Sequence, residues 1–368
     1  MLNKIFIYLK NYDWIVLASI ALLIIFGLAE IYSIALGNED LQLLNFKKQI
    51  IFAVLGISLL FFISFLDYYN LRSFSVYFYI AAVLLLIAVL IFGEEIKGTT
   101  GWFNFGFFNL QPVEFVKIFL LIFLARYFSK VSVKLNPLKY LIISGLATAA
   151  LIGLVLLQPD FGSALILFAL WGIMVYISGF NKKYILIIFL ILLSVFLFGW
   201  FFFFEDYQRN RIITFVNPRA NPLAEGYNVT QAIIAVGSGG ITGRGIGFGS
   251  QSQLKFLPEA QNDFIFAVIA EELGFFGVFL LISFFSIFYF RAISHVGKIK
   301  DDFGIYFILG AVSLIFLQMF INIGMNIGLL PVVGLPLPFV SYGGSAMVSS
   351  LIMVGILESI IIRYKIKG

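Results

Sequence analysis

The sequence has no cysteine and one histidine, His295, and only 12% of its 368 residues are charged. Without cysteine there is no disulfide, no thiolate nucleophile and no Cys-ligated metal. One histidine, set in a polar connection, builds no histidine metal cluster, so acid–base chemistry falls mainly to carboxylates. A soluble domain carries about 25% charged residues. In their place stand hydrophobic residues, 61% of the chain, in recurring runs of about twenty, the length that crosses a hydrocarbon core ~30 Å thick. The fold expected is an all-α polytopic membrane protein, a single domain over residues 1–368. The net charge of +5 points to cytoplasmic loops rather than to nucleic acid, because membrane proteins collect Lys and Arg there.

Apolar windows place about ten transmembrane helices near 14–36, 49–66, 74–93, 112–129, 138–158, 160–178, 184–204, 263–290, 304–328 and 340–362. The first follows a basic segment as a signal sequence does, but it is too long for one and reads as an uncleaved span. Lys and Arg crowd one set of loops and both termini, from Lys4 and Lys10 through Arg126, Lys182 and Lys183 to Arg363 and Lys365. The short loops of the other set hold only Lys47, Lys48 and Lys97. The positive-inside rule then puts both termini in the cytoplasm. The large loop 205–262, between spans 7 and 8, faces outward, as does "GEEIKGTTGWFNFGFFNLQ".

A connection as long as 205–262 is more often functional or disordered, and the apolar residues throughout it, with Pro/Gly punctuation, do not read as disorder. Within it "YNVTQAIIAV" reads as a short helix at the membrane surface, and "GSGGITGRGIGFGS" as either an anion nest of backbone N–H groups or a glycine-rich turn. Arg209, Arg211, Arg219, Arg244 and Lys255 make the loop basic. They fit an anionic ligand, or pairing with Glu205, Asp206, Glu225 and Glu259.

Ionisable groups inside spans cost about 2.5–3.5 kcal/mol each on insertion scales and are functional candidates by default. Glu114 and Lys117 in "QPVEFVKI" stand three apart, on one helix face, where they can neutralise each other. Asp160 in "LLQPDFGSA" and Asp263 in "LPEAQNDFIFAVIAEELGFFG" each precede an apolar run, where capping competes with a functional role. Glu271 and Glu272 lie two turns deeper and read as structural. In this topology Glu114, Asp160 and Asp263 all fall toward the outer leaflet and imply an outward-facing polar cavity.

Stretches across nearly the whole chain resemble the SEDS family (shape, elongation, division and sporulation proteins): "GWFNFGFFNLQPVEFVKI", "LLQPDFGSA", "NPLAEGYNVTQAIIAVGSGG", "GSQSQLKFLPEAQNDFIFAVIAEELG" and "INIGMNIGLLPVVGLPLPFVSYGGSA". "QSQL" and "PVVGLPLPFVSYGGSA" look like the elongation branch more than the division branch. Gln261 and Asn262 stand where relatives often have His-Thr, and Val113 where they usually have Ser.

The resemblance implies a peptidoglycan glycosyltransferase polymerising lipid II at the outer face of the bacterial cytoplasmic membrane. It would work beside a class B penicillin-binding protein transpeptidase and other elongation-complex proteins, with its substrate's tail among membrane lipid. It also implies that Asp263 is the catalytic acid/base residue and that Glu114, Lys117 and Asp160 serve the central cavity. Ser341 to Ser345, "SYGGS", is a family signature.

The chemistry suits these residues, since glycan extension needs a base for the attacking hydroxyl and positive charge for a departing diphosphate. Lys48, Arg211 and Lys255 are the candidate cations, and a Mg²⁺ or Mn²⁺ ion held by carboxylates and phosphates is an alternative. A lipid II flippase and a non-catalytic scaffold for the transpeptidase are the rival readings. A flippase would keep ionisable groups at the midplane, open to both faces.

Overall fold

A computed structural model describes residues 8–36, 41–96, 98–130, 137–184, 186–187, 190 and 225–367. The helices are α1 (Trp14–Leu36), α2 (Leu41–Phe65), α3 (Tyr68–Ser73), α4 (Ser75–Phe92), α5 (Pro112–Ser129), α6 (Pro137–Leu156), α7 (Phe161–Ile177), α8 (Glu225–Ser238), α9 (Ser250–Gln253), α10 (Ile265–Ser294), α11 (Asp302–Asn326) and α12 (Gly344–Lys367). Nine of the ten expected spans are helices among the described residues, and the tenth, 184–204, lies largely outside them. Seven of these helices are long and apolar enough to cross a membrane. Of the other two, α7 is short, and α5 carries Glu114, Lys117 and Arg126 along its 18 residues.

The helices pack as a bundle in which α2 lies along α12, α1 along α10, α4 along α5, and α5 against α11. Helix surfaces facing lipid need no polar cover, so side chains such as Phe62, Phe92 and Phe290 stay exposed while Leu23, Leu86, Phe285 and Phe307 fill the interior. Close approach requires glycine at Gly27, where a Cβ would lie 2.3 Å from the Val340 carbonyl oxygen.

Two features depart from the expected all-helical chain. The segment after α4 forms a small antiparallel sheet, β1 (Glu94–Ile96), β2 (Thr99–Asn104) and β3 (Asn109–Leu110), with Glu94 opposite Trp102 and Phe103 opposite Leu110. The Asn104 carboxamide donates to Glu94 at 2.9 Å and accepts from the Gly106 amide at 2.8 Å, which fixes the β2–β3 turn.

The second is a break in α10 at Gly274, whose φ of 62° and ψ of −157° no L-residue adopts easily. A break inside a span strands backbone groups that lipid cannot satisfy. Here the glycine-rich loop satisfies them. The amides of Arg244 and Gly245 donate to the carbonyls of Glu271 and Glu272 at 3.0 and 2.9 Å. The amides of Phe275 and Phe276 in turn donate to the carbonyls of Gly240 and Ile241.

Of the two readings of "GSGGITGRGIGFGS", this favours the glycine-rich turn over the anion nest. The amides of Arg244 and Gly245 are committed to the broken helix and that of Gly247 to the Glu272 carboxylate, and are not turned toward a ligand. The Glu271 carboxylate accepts the amides of Gln251 and Ser252, and Glu272 accepts the Gly247 amide and the Ser33 hydroxyl. Both glutamates are fully buried, in the structural role expected of them.

Candidate functional site

At one end of the bundle a cavity of about 950 Å³ opens between the small sheet, the α6–α7 turn, the start of α10 and the segment leading into α12. Its lining includes Lys48, Trp102, Asp160, Glu259, Asp263 and Tyr342. Among the described residues the lining sets three carboxylates against one lysine, in a chain that is basic overall. Burial pushes the Tyr342 phenol above its ordinary value, which keeps it a hydroxyl donor.

Asp160 holds two positions at once. Its carboxylate caps α7, accepting from the Ser163 amide at 2.9 Å and the Ser163 hydroxyl at 2.7 Å, and it also accepts from Gln111 at 3.3 Å at the cavity wall. Capping and cavity lining coexist there. The N-cap of α10 is Phe264, without a side-chain cap bond, and Asp263 stands one residue before it. The strap 333–336 runs alongside Asp263, and a Cβ at Gly334 would lie 3.6 Å from Asp263 Oδ2.

Asp263, Asp160 and Lys48 therefore meet in one cavity, and Lys48 Nζ stands 5.2 Å over the Phe107 ring. Four of the sequence-derived candidates do not line it. Glu114 and Lys117 form an ion pair at 2.6 Å with side chains 4% and 2% exposed, and the Ser349 hydroxyl of α12 points to Glu114 at 3.4 Å. Pro112 starts α5, which puts Glu114 in the first turn facing α12. A carboxylate buried there needs a cation within reach, and Lys117 supplies it; Glu114, expected at the cavity wall, is not among the residues lining it.

Ser341 is also buried and acts on backbone: its hydroxyl donates to the Asn262 carbonyl at 2.6 Å and accepts from the Leu337 amide at 2.8 Å. Lys255 is exposed, in a left-handed turn, and is absent from the cavity lining. Arg211, with Arg209 and Arg219, lies outside the described residues.

Glu259 is the lining acid that sequence reasoning left as a mere ion-pair partner. Its only signal was its place four residues before Asp263 in "LPEAQND". Among the described residues no three of Asp, Glu, His or Cys come together in a way that would hold a metal ion. A divalent ion there would depend on phosphate oxygens for the rest of its ligands.

The opposite end is built differently. Asp13, 1% exposed, bonds Arg291 Nε at 2.8 Å and His295 Nε2 at 2.6 Å, and accepts the amides of Ile15 and Val16 at the start of α1. Lys365 near the end of α12 donates to the carbonyl of Asn11 at 3.0 Å, so the first and last helices end together. Arg363 donates to the carbonyls of Ser64 and Phe65, which the end of α2 leaves without helical partners. Burial alone pushes the Asp13 carboxyl up. The His295 hydrogen bond, the Val16 amide and the Arg291 guanidinium outweigh it and hold Asp13 below the ordinary aspartate value.

Comparison with known proteins follows the same outline. Residues 12–365 match the family described as cell cycle protein, FtsW/RodA/SpoVE. The chain is 40% identical to the peptidoglycan glycosyltransferase MrdB of Escherichia coli K12 over 288 residues, 77% of this chain and 76% of that one. It is 34% identical to the stage V sporulation protein E of Bacillus subtilis over 349 residues, 92% and 94% of the two chains. Among solved structures, a chain from a peptidoglycan synthase complex that coordinates polymerization and crosslinking superposes with a TM-score of 0.82 at 28% identity, covering 96% of this chain and 98% of that one. The rod shape-determining protein RodA of Thermus thermophilus superposes with a TM-score of 0.71 at 26% identity, covering 95% and 96%.

Proposed function

The chain belongs to the SEDS family, the FtsW/RodA/SpoVE cell cycle proteins it matches over residues 12–365, and from that premise we propose that it is a peptidoglycan glycosyltransferase polymerising lipid II with Asp263 as general base. It is an integral bacterial membrane protein. The observation that carries the reading is the position of Asp263, which lines a large cavity at the mouth of a membrane helix. A lipid-linked sugar can reach such a cavity while its tail stays in the bilayer.

In the proposed step a hydroxyl of the acceptor sugar attacks the anomeric carbon of the donor. The new glycosidic C–O bond forms as the bond from that carbon to the diphosphate oxygen breaks, with the electron pair leaving on the lipid diphosphate. The hydroxyl proton passes to the Asp263 carboxylate, and configuration at the anomeric carbon inverts. Such a base contributes about 10²–10⁴ in rate. Asp160 and Glu259 face the same space and suit hydroxyl recognition.

Among the described residues Lys48 is the lining cation that can meet the developing diphosphate charge. With three lining carboxylates to offset, more positive charge has to come from elsewhere. Arg211 is one source, and a Mg²⁺ or Mn²⁺ ion carried on the diphosphate is another. The basic loops on the far side favour an outward-facing cavity, where a class B penicillin-binding protein would crosslink the product.

The test is polymerisation of purified lipid II by this protein with its transpeptidase partner, comparing wild type with Asp263→Asn. Polymer from wild type alone, with lipid II binding retained by both, supports the reading. Equal polymer from both removes Asp263 from the chemistry. No polymer from either, with lipid II crossing liposome membranes, supports a flippase.

A further inference from the structure

Gln261, Asn262 and Asp263, just ahead of the Phe264 N-cap of α10, are held by their carbonyls from distant parts of the chain. The Gln261 carbonyl accepts the Tyr342 amide at 2.8 Å, and the Asn262 carbonyl accepts the Ser341 hydroxyl at 2.6 Å. The Asp263 carbonyl accepts two side-chain amides, Asn322 Nδ2 at 3.0 Å and Asn326 Nδ2 at 2.9 Å. Both asparagines lie near the end of α11 and are 0% exposed.

Their remaining capacity is directed to the same place. Asn322 Nδ2 also donates to the Leu335 carbonyl at 2.8 Å, which joins the acid to the strap 333–336 at the cavity wall. Asn326 Oδ1 accepts the Ala267 amide at 3.0 Å, an N–H group of the first turn of α10 that it shares with the Phe264 carbonyl, also at 3.0 Å.

We propose that Asn322, Asn326 and Ser341 are positioning residues that fix the peptide planes on both sides of Asp263 and so aim its carboxylate at the acceptor hydroxyl. A peptide unit is planar, so holding one carbonyl orients the whole unit. Ser341 holds the plane before the Asp263 Cα, and the asparagine pair holds the plane after it. With both planes set, the direction of the Cα–Cβ bond is set, and only the side-chain torsions remain free.

An acid placed by ordinary helix geometry would need no such frame. Asp263 precedes the N-cap, where the helix's own hydrogen bonds do not yet fix the chain. Burying two carboxamides is costly unless all their groups are used. Here each amide nitrogen makes two bonds or more, all of them to Asp263 or to the backbone and side chains beside it. This inference rests on Asp263 being the base.

The experiment measures lipid II polymerisation for Asn322→Asp, Ser341→Ala and Ser341→Thr beside wild type and Asp263→Asn, with rates normalised to folded protein. Asn322→Asp keeps the shape and removes both donated bonds. Ser341→Thr keeps the hydroxyl that Ser341→Ala removes. Ser144→Ala, which deletes a buried hydroxyl far from the cavity that accepts from the Trp171 indole, reports the effect of lost stability alone.

A misaimed base lowers kcat more than it weakens binding, so Asn322→Asp and Ser341→Ala should each lose at least about tenfold in kcat. Their KM for lipid II should stay within about threefold, and the acid limb of the pH–rate profile should move. Ser341→Thr should recover most of the rate, and Ser144→Ala should keep its rate per folded molecule.

Rates for Asn322→Asp and Ser341→Ala equal to wild type, while Asp263→Asn is inactive, would overturn the positioning role and leave the general base standing. Activity in Asp263→Asn would overturn both. If Asn322→Asp does not fold, the Ser341→Ala and Ser341→Thr pair decides.

Discussion

The two ends of the bundle use carboxylates in opposite ways. At one end Asp13 is bonded to Arg291 and His295, Asp301 to Arg72, and Asp67 to Arg363, all of them joining helix ends. At the other end Asp160 is held by a backbone amide, a hydroxyl and a carboxamide, and Asp263 is held through its main-chain carbonyl while its side chain lines the cavity. An acid bonded to a base is neutralised and immobile, which serves packing. Asp160, positioned by neutral donors, keeps its charge at the cavity wall. The residue type is the same at both ends, and the partner decides the role.

The comparison breaks most visibly at Asp263. Asp263→Asn should cost at least about 100-fold in turnover, roughly 3 kcal/mol in barrier height, with the melting temperature unchanged. Next in size is the buried pair beneath the cavity. Lys117→Met should destabilise the fold by about 3–5 kcal/mol, because it strands the Glu114 carboxylate in the interior. The double variant Glu114→Gln/Lys117→Met should recover most of that loss, measured as a melting temperature in detergent. A lone Lys117→Met variant with wild-type stability and no activity would move the pair back into the site.

At the far end Asp13→Ala should cost about 2–3 kcal/mol of stability. The figure is kept below that of a fully buried pair because the Arg291 side chain is 38% exposed and water screens it. Turnover per folded molecule should not change. The same contact makes a pH prediction. Folding holds Asp13 below its ordinary value, so its contribution is complete above the usual aspartate range and is lost as pH falls through the lowered value. Melting temperature against pH should therefore fall more steeply on the acid side for wild type than for Asp13→Asn.

The smallest effect is expected at Asp160. Asn caps a helix about as well as Asp, so Asp160→Asn should change stability by less than about 0.5 kcal/mol. Any loss of turnover then reports the lining charge alone.

Much of this arrangement was legible before the fold. The apolar run 14–36 coincides with α1, and Glu114 and Lys117 at a spacing of three announced their pairing. Asp160 and Asp263 stood out because an acid against an apolar run is expensive unless used. What stayed hidden depends on contacts between distant segments. Nothing local distinguishes a glycine loop that cradles phosphate from one that mends a broken helix, and only the strain at Gly274 tells them apart. The small sheet after α4 is too short to show a period. Ser341 carried a recognisable motif, but its partner, the Asn262 carbonyl, lies 79 residues away. Glu114 was expected in the cavity because depth along a span can be read from sequence, whereas the direction a helix faces is set by its neighbours.

The most direct test of the contrast is the initial rate of lipid II polymerisation, normalised to folded protein, for Asp263→Asn and Asp13→Asn side by side. The account predicts that Asp263→Asn keeps its folded fraction and loses its rate, while Asp13→Asn loses folded fraction and keeps its rate per folded molecule. The reverse pattern, or equal rates for Asp263→Asn and wild type, would contradict it.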